Sequence, residues 1–157
     1  MTTMGPYESE VFTRYIFGTI DNLVACLDGL DEDELHWRPS APQTNSLYAI
    51  VMHVCGNAEE NILGTLCGRS IQRNRDSEFR ATGGSETSLR EQWLDLRARL
   101  ANALAALPAV ELDRERRHPR RGVLTGREIL LIVARHAAEH WGEAQLTHSL
   151  LKTRAKD

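Results

Sequence analysis

The chain has few cysteines, no long apolar run, no strong excess of charge and no strand-like alternation. Each absence removes a class of protein. Three cysteines (Cys26, Cys55 and Cys67) are too few and too irregularly spaced for a disulfide framework. The longest uninterrupted apolar run is six residues, 129–134, whereas a membrane span needs about 20. With 19 Lys and Arg against 22 Asp and Glu the net charge is -3, so no overall attraction draws the chain to nucleic acid or anionic lipid. The opening residues hold no basic segment ahead of an apolar one, and Glu8, Glu10 and Asp21 interrupt the next stretch of chain. No secretory signal is readable, and the cytoplasm is the expected location. No segment sustains a period of two, so strands are not expected. There is no short internal repeat. What is present is a chain of 157 residues, 41% hydrophobic and 26% charged. That is the balance of a soluble globular domain, expected as a single unit over 1–157 that can bury roughly 68–70% of its unfolded surface.

Hydrophobic spacing is helical throughout. Phe12, Ile16, Ile20, Leu23, Leu27 and Leu30 step by three and four, which predicts a helix over residues 7–28 that ends near Gly29. Leu47, Ile50, Val51, Val54, Ala58, Ile62 and Leu66 form a second stripe with Asn45 or Ser46 as its cap. Leu89, Trp93, Leu96, Leu100, Leu104 and Leu107 form a third, with Ser88 and Glu91 at capping-box spacing and Pro108 as a stop. The fourth starts at Thr125, with Glu128 three residues on, and runs through Ile129, Val133, His136, His140, Ala144, Thr147 and Leu151. Four amphipathic rods bury their apolar sides best against one another, which predicts an all-α four-helix bundle. Two connections, 68–87 and 109–124, are long enough to cross such a bundle and exceed the usual loop length.

The six histidines carry the chemistry. His136 and His140 are four apart, which on a helix places two imidazoles on one face with Cβ atoms about 5–6 Å apart. Two such rings can reach one ion at about 2.0–2.1 Å. At 100° per residue both fall near the centre of the fourth apolar stripe, where an unpartnered polar ring costs roughly 1–3 kcal/mol. Either neighbouring side chains and water satisfy them, or a metal does. Ala137 follows His136, so the zinc-protease motif is absent. His53, on the flank of the second stripe, is the candidate third ligand, with a histidine facing water as the alternative. Three neutral imidazoles leave a divalent ion its full charge and an open position, the pattern of catalytic sites. His36 and His118 read as loop residues and His148 as a rim residue. Cys55 lies about 200° round the helix from His53 and reads as a small buried hydrophobe. The one candidate acid or base is Glu60, seven residues past His53 on the same flank.

Three stretches resemble the DinB/YfiT-like family of metal-binding four-helix bundles. They are residues 30–39 (LDEDELHWRP), 45–54 (NSLYAIVMHV) and 136–145 (HAAEHWGEAQ). The resemblance implies metal ligands at His53, His136 and His140; three imidazoles suit zinc, nickel, copper or iron, with zinc or nickel leading. It also implies an up-down-down-up bundle with a long crossover before the third helix, and a homodimer. Characterised members use the metal to activate a low-molecular-weight thiol such as bacillithiol or mycothiol for S-transfer or isomerisation. The larger mycothiol-dependent isomerases carry a further C-terminal domain, so that particular reaction is not expected here. Two positions depart from the family pattern: Glu143 stands where Gln is frequent, and His148 where a basic residue is common.

The expected function is therefore a metal-dependent thiol S-transferase acting on a small thiol and an electrophilic substrate. The alternative from another class is a non-catalytic module, one that binds metal or a small ligand or serves a stress response. The basic stretch 114–121 holds five arginines against Glu115. Without interleaved aromatics in an acidic chain, it reads as a solvated loop rather than a nucleic-acid surface. Its side chains can also neutralise an acidic cosubstrate. Neither nucleic acid nor membrane is an expected partner.

Overall fold

A computed structural model describes residues 6–154. The expectation about a secretory signal concerns residues 1–5 as well, and those lie outside the described residues. The described chain is all-α apart from one two-stranded sheet. Its helices are α1 (Pro6–Ala25), α2 (Glu32–His36), α3 (Leu47–Ala58), α4 (Arg75–Arg80), α5 (Glu86–Ala105), α6 (Val110–Asp113) and α7 (Gly126–Thr153). The predicted apolar stripes lie on α1, α3 with its continuation, α5 and α7. Helix α7 packs on α1 and α3, and α5 packs on the same two. The shared core includes Ile16, Ile20, Leu23, Ile50, Leu100, Ile129 and Leu130, all fully excluded from solvent. Trp93 meets Phe17 edge-on and donates its indole N–H to Asp21, so its polar atom is satisfied (2.8 Å). No helix among the described residues is long and apolar enough to cross a membrane.

The caps follow side-chain chemistry. Ser46 accepts the Ala49 N–H at the start of α3 (3.1 Å). Thr125 and Glu128 form the predicted reciprocal box at the start of α7. The start of α5 differs from expectation: Ser85, not Ser88, is the cap and accepts the Ser88 N–H (3.1 Å). Ser85 meets the capping requirement a turn earlier, just after the left-handed Gly83 (φ 82°).

Three further features depart from the sequence reading. The second rod is α-helical only to Ala58, and Glu59–Leu66 is π-helical, with the Cys67 N–H bonded to the Ile62 carbonyl five residues back (2.9 Å). The connection 68–87 is not a plain crossover, because it folds into α4 and docks on α3. The connection 109–124 holds α6 and a hairpin of β1 (Glu115–His118) and β2 (Gly122–Thr125). Strands were not expected, since four residues are too few to reveal a period of two. The turn chemistry is nevertheless written in 118–122. Pro119 presets a turn, and Gly122 supplies the left-handed φ of 79° that closes a three-residue hairpin loop.

Candidate metal centre

Two helices bring the three histidines together. His53 projects from α3, and His136 and His140 lie one turn apart on α7, which packs against α3. One ring nitrogen from each lies within 4.8 Å of the other two. The rings stand 4.8, 4.8 and 4.5 Å apart between centroids, and the Nε2 atoms of His53 and His136 are 3.0 Å apart. Nitrogens that share one tetrahedral ion at about 2.0–2.1 Å lie about 3.3 Å apart.

The other ring nitrogens show which tautomers are set. An ionised carboxylate only accepts, so an imidazole nitrogen facing one must carry the hydrogen. His53 Nδ1 donates to Glu78 Oε2 (3.0 Å), and His140 Nδ1 donates to Glu143 Oε2 (2.6 Å). Both rings therefore present a bare Nε2, the form that a metal requires. Both carboxylates are themselves anchored. Arg73 donates to both oxygens of Glu78 (2.7 and 2.9 Å), and Asn45 donates to Glu143 Oε1 (3.1 Å). Phe79, next to Glu78, stacks on the His53 ring at 4.4 Å. The short helix α4 thus clamps His53 with two consecutive side chains.

Burial lowers the pKa of His53 and, with the neighbouring His140 and His53 charges, pushes His136 down to about 3. These rings are neutral at pH 7, as ligation demands. Burial alone would raise Glu78, but hydrogen bonds from His53 and Arg73 outweigh it and hold the carboxyl low. The His140 hydrogen bond lowers Glu143, with Asn45 assisting. Of the triad's own outer nitrogens, His136 Nδ1 is the one without a partner. Two set tautomers, converging nitrogens and an all-imidazole donor set fit a divalent ion.

Burial of the triad is reversed from expectation. His53, predicted at a flank, is the buried member, because Glu78, Phe79 and Arg73 cover it. His136 and His140 are half-buried, with Val133 and Ala137 at the centre of the α7 stripe instead. The open side of His136 meets a cleft of about 310 Å³ lined by His53, Asn57, Arg75, Arg120, Arg121 and His136 among others. A larger cleft of about 570 Å³ lies between α3, α4 and α5 and contains none of the three imidazoles.

Glu60 does not enter the histidine cluster. Its carboxylate is held by Arg120 (3.1 Å) and Arg73 (2.9 Å). Those contacts, that of Arg120 foremost, lower its pKa to about 2. It is ionised at neutral pH with its lone pairs committed, so its place is to anchor two arginines. Cys55 is half-buried, lines the larger cleft, and has its thiol pushed up to about 12 by burial. His118 and His36 are not surface loop residues. His118 is buried, donates to Asn61 Oδ1 (2.9 Å) and accepts the Arg120 N–H (3.1 Å). His36 packs on Tyr48 and donates to the Gly84 carbonyl (3.0 Å). His148 is half-buried, as a rim residue should be.

Sequence reasoning missed Glu78 and Arg73 because they sit in a segment with no apolar period. The faint signal was Asn74, whose side chain caps α4, a Ser/Asn-type helix start inside a presumed loop.

Fold and site together define a predominantly helical protein with three imidazoles converging between two helices. The chain belongs to the DinB superfamily, whose family model matches residues 18–144. A comparison with curated proteins finds no match.

Proposed function

We propose that the chain is a metal-dependent S-transferase for a low-molecular-weight thiol, with His53, His136 and His140 holding one divalent ion, zinc or nickel. The observation that carries the reading is the pair of carboxylates behind the cluster. Glu78 and Glu143 fix the Nδ1 hydrogens of His53 and His140, so two bare nitrogens face the same space as His136. Simple core histidines gain nothing from being held bare toward one another.

A divalent ion held by these three imidazoles would act as a Lewis acid, lowering the pKa of a coordinated thiol or water so that its proton is lost to solvent near neutral pH. The protein's own residues do the rest. Glu78 and Glu143 set the imidazole tautomers and raise their basicity. Arg73 keeps Glu78 ionised. Phe79 covers one face of His53 and shields it from water, while the cleft beside His136 leaves an approach for a thiol and an electrophile. A thiol of the bacillithiol or mycothiol type fits the family.

Turnover of a panel of thiols with a model electrophile tests the proposal. The wild-type chain is expected to exceed a His53→Ala control by at least about 100-fold, the scale on which a metal-bound nucleophile operates. Rates equal to that control overturn the transferase and leave a non-catalytic binding module.

A further inference from the structure

The cleft beside the histidines carries an imbalance of charge. Four arginines line it: Arg73, Arg75, Arg120 and Arg121. Two are neutralised, since Arg73 pairs with Glu60 and Glu78, and Arg120 pairs with Glu60. Arg75 and Arg121 have no carboxylate partner among the described residues. Arg75 only crosses the Phe79 ring at 5.4 Å. These two cations come from different elements, α4 and the hairpin turn, and meet over the same cleft. Two uncompensated guanidinium groups in a concave wall focus field into it. Guanidinium groups present forked donors that match carboxylate and phosphate oxygens.

A second observation concerns Asn57. It is buried and lines the cleft, and its Oδ1 has no hydrogen-bond partner. A buried acceptor left unpaired costs about 1–3 kcal/mol, so a donor is called for there. The neighbouring polar groups are already engaged with one another: Asn61 donates to the Asn57 carbonyl (2.8 Å) and accepts from His118 (2.9 Å). That network buttresses the hairpin against the π-helical stretch and fixes where Arg120 and Arg121 stand.

We infer that this cleft is an anion subsite that selects a small organic dianion, its charge on two carboxylates or on one phosphate, with Asn57 Oδ1 open to any donor that the ligand carries. Arg75 and Arg121 take the two charges. The cleft volume of about 310 Å³ is at the small end of small-molecule sites. It suits the acidic head of a cosubstrate whose reactive end reaches the three histidines. The subsite rests on the reading of those histidines as the reaction centre, but it is testable without turnover.

The test is calorimetric titration of the full chain, metal-loaded and chelator-treated, with succinate, glycerol 3-phosphate and the neutral isostere succinamide. Wild type is expected to bind an anion and not succinamide, and to bind more weakly as salt rises. The R75Q/R121Q double variant is expected to lose about tenfold or more in affinity, in both metal states, because two charge-assisted contacts are gone. Binding of succinate identifies carboxylates as the source of the charge, and binding of glycerol 3-phosphate identifies a phosphate. Arg121→Lys is expected to recover part of the loss. Undiminished anion binding in the double variant overturns the proposal, as does succinamide binding equal to succinate, or no anion binding in wild type. An unchanged thermal midpoint confirms that the variants are folded. Metal content measured on the same samples separates the two claims. One ion per chain without anion dependence sinks the subsite alone, and anion binding in a chain that takes up no ion sinks the histidine reading alone.

Discussion

Glu143 is the residue that makes His140 a one-sided donor. Its oxygen accepts the Nδ1 hydrogen at 2.6 Å and is itself steadied by Asn45. Outer partners of this kind typically carry 10–100-fold in metal affinity. Glu143→Ala should therefore weaken metal binding by about 10–100-fold in competition with a chromogenic chelator, with thermal stability little changed. Glu143→Gln keeps an acceptor oxygen and should lose less. Equal affinity in all three chains removes Glu143 from the site. The histidines also predict a pH response of the metal-free protein. His136 has a folded pKa near 3, and His53 is likewise lowered by burial, against about 6.5 in an unfolded chain. Between those values the unfolded state binds more protons, so stability rises with pH through this window and is lost as pH falls. Glu143, lowered in the fold, adds to the loss in acid. Denaturant midpoints of the chelator-treated chain should fall steadily from pH 6.5 towards 4, and His136→Gln should flatten part of that slope. A flat wild-type profile contradicts the buried neutral rings.

At the scale of elements, the decisive contact is between α3 and α4. A Cβ on Gly56 would run into the Glu78 carboxylate and stand 3.0 Å from Arg73 Nε. Glycine is thus required for α4 to come close enough to hold His53. Gly56→Ala should cost about 1–3 kcal/mol in unfolding free energy, the usual penalty of overpacking. It should also weaken metal binding by displacing Glu78, whereas Gly18→Ala, with open space around it, should do neither. Retained affinity in Gly56→Ala means that α4 is dispensable. These elements also mark what a sequence discloses. His53, His136 and His140 were legible because their spacing is locked to helical periods that run for five turns or more. Glu78 is 25 positions from His53 in a segment without a period, so only the folded chain brings it to the ring. The hairpin failed to register for a related reason: its strands are four residues each, below the length at which alternation can be read.

Across the whole molecule, the core and the site are separable. Helix α5 supplies none of the three histidines, yet Leu100 on it is fully buried. Leu100→Ala should lower the unfolding free energy by about 2–5 kcal/mol with metal stoichiometry intact in the folded protein. Loss of metal along with stability would mean that the imidazoles depend on the packing of the entire core. The molecule-wide arrangement explains why the histidines were easier to find than their surroundings. The two helices that carry them pack directly, and periodicity places their apolar faces together. The arginine-lined cleft, by contrast, draws its cations from α4, the residues just before it and the hairpin, which no hydrophobic pattern announced. The proposed chemistry turns on residues 53, 136 and 140 gripping one cation. Elemental analysis of protein purified without a nickel column tests it most directly. About one divalent ion per wild-type chain is expected, and none in folded His53→Ala, His136→Ala or His140→Ala. Equal metal in wild type and variants, or none in any of them, contradicts it.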